Sequence, residues 1–465
     1  MKNLQIAFRN ILRNKRRSIM TILAISIGAL SILTFGGFFF ATMFGMETVY
    51  VRMLGHVQVY KTGFFEFGAS NPADYSIENY AAIKKAIEND DLLKDKFNVV
   101  TPILQISGIV GNFKDDVSKT FFGVGVIPSD QKTMGEWKGR HIHFMSSEAT
   151  GLDDQDIEGG VIGFGMARIL NLCDEMDLMD CKDRKKIDLK TIDAPEENFD
   201  SIVALDTDNS NRSADSDSRP RLDLLASQAG GAPNVVSISV NKAQRLMMKE
   251  LDENYVVVNL KLAQRLVYGN DKPEVSGVII QLKSQNEMAS AIDRLGVLFD
   301  KHGFDLEIKR FDELAPYYGQ VQQFIGSFFM FTAIIMGVVV LFTVINTMSM
   351  CVMERVQEIG TIRALGVRRS AVVKQFIIEG GLLGIIGGTL GLILALLLQY
   401  VIISSNISYI PPGNVEPVPL VVQIFGRKGF APGIWVMFIM ICIASSYIPA
   451  RKAGKMRVVD ALGHS

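Results

Sequence analysis

The sequence predicts a helical membrane protein: four transmembrane helices, with a large α+β extracytoplasmic domain inserted between the first and second spans. Three observations carry that expectation. Mean hydropathy is +0.22 and 48% of the 465 residues are hydrophobic, more than a soluble chain of this size usually carries. Four apolar runs, 18–46, 324–353, 376–404 and 431–450, are each long enough to cross a bilayer as a helix. Charge is also segregated. Outside 47–323 the acidic residues are limited to Glu354, Glu358, Glu379, Glu416 and Asp460, so the inserted region holds nearly all the negative charge.

Residues 1–17 have the spacing of an amphipathic helix. Leu4, Ala7, Phe8, Ile11 and Leu12 share one face, with Lys2, Arg9, Arg13 and Arg16 opposite. Such a helix is expected to lie in the headgroup plane, with Arg9, Arg13, Arg16 and Arg17 at the membrane interface. The run 18–46 carries no charge and would be roughly 44 Å long as a helix. It is too long for a signal-peptide core and lacks a small-x-small cleavage site, so it is expected to remain as an anchor.

In the 47–323 region, Gly55-His56-Val57-Gln58-Val59-Tyr60 alternates like a strand. A helix is predicted over 76–90, capped by Ser76, with strands over 101–111 and 120–128. A helix over 161–172, a strand over 274–282 and a helix over 286–302 follow. This interleaving indicates an α+β domain. The stretch 193–234 is rich in Asp, Ser, Asn, Gly and Pro and poor in apolar residues, so it is predicted to be a flexible insertion dividing the domain into two lobes. Cys173 and Cys181 lie in surroundings that would permit a disulfide; two free thiols is the alternative.

Residues 354–375 form a short charged segment between two spans. On a helix, Val352, Val356, Ile359 and Arg363 share one side, with Ile362 and Leu365 adjacent. Glu354, Arg355 and Glu358 project elsewhere, while Gly360 and Gly366 permit close approach and a stop. An apolar strip flanked by charges of both signs suits a groove on a soluble partner. Ordinary positive-inside anchoring would explain the arginines but not Glu354 and Glu358. In the third span, Gly380, Gly384 and Gly388 recur every four residues, a spacing for helix packing within the subunit or against a second one.

Lys and Arg placement puts 1–17, 354–375 and the tail 451–465 on the cytoplasmic side, and the loop 405–430 outside. Both termini are then cytoplasmic. No G-x-x-x-x-G-K-[ST] occurs in the sequence, so the chain is not expected to be an enzyme or to bind a cofactor of its own. An acidic domain argues against nucleic acid as a partner. No metal site is predicted. Asp206, Asp208 and Ser210 imitate the start of a calcium loop without its glycine or bidentate glutamate, and His141 and His143 read as solvated. Glu379, at the edge of the third span, is expected to reach the interface.

The segment Glu354-Arg355-x-x-Glu358-Ile359-Gly360-x-x-Arg363-Ala364-Leu365-Gly366 resembles the coupling loop of FtsX-like ABC transporter permeases, the macrolide-exporter and lipoprotein-release type. The segment 4–28 is similar to that family's entry helix and first span. Arg451-Lys452-Ala453 with Val459-Asp460-Ala461-Leu462 resembles its tail, with Val458 where a proline is usual. Gly55-His56-Val57-Gln58-Val59 is reminiscent of the lipoprotein-release branch. The resemblance implies a bacterial inner-membrane dimeric permease, homo- or heterodimeric, of the mechanotransmission kind. A separate cytosolic ABC ATPase would bind ATP and Mg and grip the loop. The work implied is release of lipoprotein-like or amphipathic cargo from the outer leaflet, with a lipoprotein carrier or periplasmic adaptor as a further partner. Macrolide or peptide efflux and a non-transporting relay to a cell-wall hydrolase are the alternatives.

Overall fold

Each apolar run lies within a helix that overshoots it. The computed structural model describes residues 2–13, 15–68, 74–139, 151–179, 181, 219–246, 248–269, 273–411, 414 and 417–456. Helix α1 (Lys2–Arg13) leads into α2 (Lys15–Leu54), whose 40 residues span about 60 Å. That is about twice the hydrocarbon thickness of a bilayer, so α2 is long enough to cross one with several turns to spare. The inserted region then gives β1 (Val57–Lys61), α3 (Tyr80–Glu88), β2 (Phe97–Asn112), β3 (Val117–Val126), α4 (Pro128–Gly135), β4 (Gly159–Gly163) and α5 (Phe164–Ile169). It continues through β5 (Arg221–Ser227), β6 (Pro233–Gln244), α6 (Lys249–Asn254), β7 (Tyr255–Asn259), α7 (Leu260–Tyr268), β8 (Gly277–Leu282), α8 (Met288–His302), β9 (Leu306–Arg310) and α9 (Phe311–Leu314). The chain returns through α10 (Pro316–Glu354), α11 (Val356–Ala364) and α12 (Arg369–Ser404). A small β10 (Ser408–Tyr409) and β11 (Val418–Pro419) pair precedes α13 (Phe430–Lys455). Four of these helices, α2, α10, α12 and α13, are long and apolar enough to cross a membrane.

The nine-stranded sheet runs β3-β7-β4-β6-β5-β2-β8-β1-β9, and β3 also pairs with β2. The pairings therefore close a six-stranded ring (β2, β5, β6, β4, β7, β3) that shares the long β2 with an antiparallel sheet of β2, β8, β1 and β9. The 16 residues of β2 make this possible: its first half pairs with β8 and its second half with β3 and β5. Parallel pairings β3–β7 and β4–β6 sit among antiparallel ones, so the sheet is mixed.

Three expectations are corrected here. Residues 219–234 of the predicted flexible insertion are not a linker; they supply β5 and the first residues of β6, and β5 joins β6 to β2. The alternating Leu222, Leu224 and Ala226 face the core, a period-two signal that the polar surroundings obscure. The rest of that stretch, with Asp206, Asp208 and Ser210, lies outside the described residues, as do His141, His143 and the tail beyond 456. The helix predicted over 161–172 is a strand followed by a shorter helix, β4 and α5. The helix predicted to start at Ser76 begins at Tyr80, where Asn79 Oδ1 accepts from the Ala82 amide at 3.2 Å. Cys173 and Cys181 are joined in a disulfide.

One core cluster runs through both parts of the sheet domain and takes in Met43 and Val51 of α2 and Tyr318 of α10. The junction of α2 with the sheet is tightly made. Gly55 adopts φ +69°, and a Cβ there would press on Ile279 and the Ile280 carbonyl. The last carbonyls of a helix have no partner within it. Here Gln281 Nε2 donates to Val51 O at 3.0 Å and Gln58 Nε2 to Leu54 O at 2.8 Å, both from buried side chains. His56, also buried, accepts from the Leu282 amide through Nδ1 at 3.0 Å, and its ring stands edge-on to Trp137. That bond leaves the proton on Nε2, and burial pushes the imidazole pKa down to about 4.

Candidate coupling site

At the end of the bundle that carries α1 and α11, the backbone breaks twice. Arg355 leaves helical geometry (φ −108°, ψ 17°), separating α10 from α11. At the far end, Gly366 takes φ +91° and its amide donates to Arg363 O at 3.0 Å, while the Val367 amide donates to Ile362 O at 3.3 Å. This is a Schellman stop, in which a glycine in the left-handed region lets the last carbonyls be satisfied.

The apolar strip of α11 does not face outward. Val356 and Ile359, with Val352 at the end of α10, are all buried, Val352 and Ile359 in a cluster with Val372, Phe376, Ala450 and Ala453 from α12 and α13. The reading of this strip as a docking face is therefore corrected: the chain covers it itself. Gly360 is buried on the same side, and Arg363 donates to the Met456 carbonyl. The surface that remains apolar and open is the tip: Ile362 is 43% exposed, Leu365 81% and Val367 39%, with Ala364 also exposed.

Nor do Glu354, Arg355 and Glu358 point away from the chain. Arg13 Nη2 lies 2.9 and 3.0 Å from the two carboxylate oxygens of Glu358, and Arg17 Nη1 lies 2.5 Å from Glu354 Oε1. Arg355 is buried and lies 3.4 Å from Glu379 Oε1, and its Nη2 donates to Asn10 O at 3.2 Å. Glu379 does not reach the interface as expected; it is buried and also accepts from Asn10 Nδ2 at 2.5 Å. Of the four arginines assigned to headgroups, Arg13 and Arg17 are thus engaged by glutamates, while Arg9 and Arg16 make no ion pair among the described residues. Asn10 was not anticipated, because a lone asparagine on an amphipathic helix carries no periodic signal.

The glycines of α12 are spent on packing within the chain. A Cβ at Gly380 would overlap the Ser446 hydroxyl, and at Gly384 or Gly388 it would crowd Cys442 or Trp435 on α13. On the other side Ser26 of α2 donates to the Gly387 carbonyl at 3.0 Å.

Among the described residues no group of His, Cys, Asp or Glu is arranged to hold a metal ion. Charged pairs tie the segment that carries the exposed apolar tip to α1, α2 and α12. The model of the FtsX-like permease C-terminal family matches residues 329–458, which include α11, α12 and nearly all of α13.

Proteins similar to this chain include ABC transporter permeases. An uncharacterized ABC transporter permease of Methanocaldococcus jannaschii is 25% identical over 215 residues, 45% of this chain and 51% of the relative. The macrolide export ATP-binding/permease protein MacB of Escherichia coli is 29% identical over 195 residues, 41% of this chain and 28% of MacB. YknZ of Bacillus subtilis, an uncharacterized ABC transporter permease, is 26% identical over 239 residues, 50% of this chain and 54% of the relative. The chain spans about half the length, or less, of the relatives it matches.

Proposed function

We propose that the chain is the permease subunit of a bacterial inner-membrane ABC transporter, with both termini in the cytoplasm and the sheet domain outside. A separate cytosolic ATPase subunit, holding ATP and Mg, docks on the Ile362–Leu365–Val367 tip. Its closure moves α11, and α2 and α10 carry that movement to the sheet domain, which works as one of a pair of permease subunits. The work done is release of a lipoprotein-like or amphipathic cargo at the outer leaflet. The observation that supports this most is the continuity of α2 from the coupling end to the sheet, where Gln281 and Gln58 hold its last carbonyls. A helix fixed at both ends transmits displacement; one ending in a loose linker would dissipate it.

The matches to MacB favour one other reading, export of a macrolide-like compound with a periplasmic adaptor. Crosslinking from the sheet domain in intact cells separates the two, since capture of a lipoprotein or its carrier supports release and capture of an adaptor supports export. Docking is tested by Leu365→Asp. Because Leu365 is 81% exposed, the substitution should leave insertion and thermal stability unchanged while cutting co-purified ATPase at least tenfold. Undiminished co-purification would remove the tip from the docking surface.

A further inference from the structure

The basic side of α1 has the composition of a lipid-facing surface, yet the structure turns part of it toward α11. Arg13 and Arg17 are four residues apart, as are Glu354 and Glu358. They pair in reverse order, Arg13 with Glu358 and Arg17 with Glu354, as two rungs between antiparallel stretches of chain. Beside the rungs, Arg355 and Asn10 converge on Glu379, joining α12 to the same assembly. The first rung joins α1 to α11 and the second joins the base of α2 to the end of α10, so a shift of residues 354–358 past residues 13–17 by one helical turn, about 5.4 Å, would break both together.

We propose that Glu358 of α11 and Glu354 at the end of α10 are positioning residues that lock the α10–α11 junction to α1 and the base of α2, so that α1 forms a second arm of the coupling element. This rests on the reading of the chain as an ATPase-driven permease. On this view the glutamates do not touch the ATPase. They fix the register in which α11 pushes, and the first span receives the push through Arg13 and Arg17. Exposed ion pairs each contribute only about 0.2–1 kcal/mol to stability, so losing a rung leaves the fold intact and the defect appears in coupling.

The test uses the full chain in native membranes, with Val235→Cys, an exposed position on β6, as a thiol-labelling reporter. The probe is the non-hydrolysable nucleotide AMPPNP. Arg13→Glu and Glu358→Arg should each abolish the AMPPNP-dependent change in labelling rate while co-purified ATPase stays at the parent level. The double variant should recover most of that change, and Arg9→Glu, which removes a positive charge without breaking a rung, should behave as the parent. A double variant no better than the singles, or singles that still respond, would overturn the proposal. Loss of co-purified ATPase in the singles would also overturn it, placing the glutamates on the docking surface and sparing the permease reading. A parent that shows no AMPPNP response while ATPase still co-purifies would remove the coupling reading and this proposal with it.

Discussion

Removing the Arg355 guanidinium should cost more than removing any other charge at the coupling site. The side chains of Arg355 and Glu379 are only 6% and 4% exposed and approach to 3.4 Å, whereas those of Arg13 and Glu358 are each 54% exposed. At an effective dielectric constant of about 20, two unit charges at that separation attract by about 5 kcal/mol. Leaving one buried charge without its partner costs about 3–5 kcal/mol, while removing both is close to neutral. Arg355→Met should therefore lower the melting temperature of the detergent-solubilised protein by several degrees. Adding Glu379→Gln to that background removes the stranded charge and keeps an acceptor for Asn10 Nδ2, so most of the loss should return. The measurement is a double-mutant cycle by fluorescence-detected size-exclusion melting, with an expected coupling of about 2–4 kcal/mol. A double variant at the sum of the two singles would refute the pair as an energetic unit.

Two further outcomes follow from other parts of the fold. His56 is neutral in the folded chain down to about pH 4, whereas an unfolded histidine takes up its proton near pH 6.5. The unfolded state then binds the extra proton between those values, so stability should fall with falling pH by up to about 1.4 kcal/mol per unit. His56→Asn, which offers an acceptor near the Nδ1 position, should flatten the melting temperature between pH 6.5 and 4.5; an unchanged slope would place the acid sensitivity elsewhere. In the bundle, Gly380→Ala should destabilise by about 1–3 kcal/mol, because its Cβ meets Ser446, while Gly433→Ala, with open space around it, should not. Equal melting temperatures for the two would show that α12 and α13 have room to separate.

Much of the fold is written in local patterns, and what is not depends on distant pairing. Uninterrupted apolar runs mark four long helices because hydrophobicity alone decides whether a helix suits a bilayer. The alternation at Val57–Lys61 and the glycine before it are equally local. The strand at Arg221–Ser227 is different. It has the period-two pattern, but only Leu222, Leu224 and Ala226 express it, in a stretch whose Asp, Ser and Asn content suggests disorder. What makes it a strand is β2 on one side and β6 on the other, neither adjacent to the preceding polar run. The same holds for β4, whose Gly159-Gly160-Val161-Ile162-Gly163 continues into a helical pattern and is drawn into the sheet by β6 and β7.

The coupling segment shows where a motif stops being informative. Its periodicity identifies a helix with one apolar side, which is a statement about amphipathicity and says nothing of what covers that side. The same strip would serve a partner's groove or the chain's own α12 and α13, and here the latter take it. The glutamates are ambiguous in the same way, because a charge resisting the positive-inside pattern signals a partner without saying whether that partner lies 345 residues back in the same chain. Once the strip is buried and both glutamates are paired, the apolar surface left open on α11 and its stop is small. That remainder is an apolar knob of Ile362, Leu365 and Val367 followed by the exposed Arg368 and Arg369. A groove that receives it needs an apolar floor and an acidic rim, so reversing Arg368 and Arg369 should weaken ATPase association more steeply at low salt than at high.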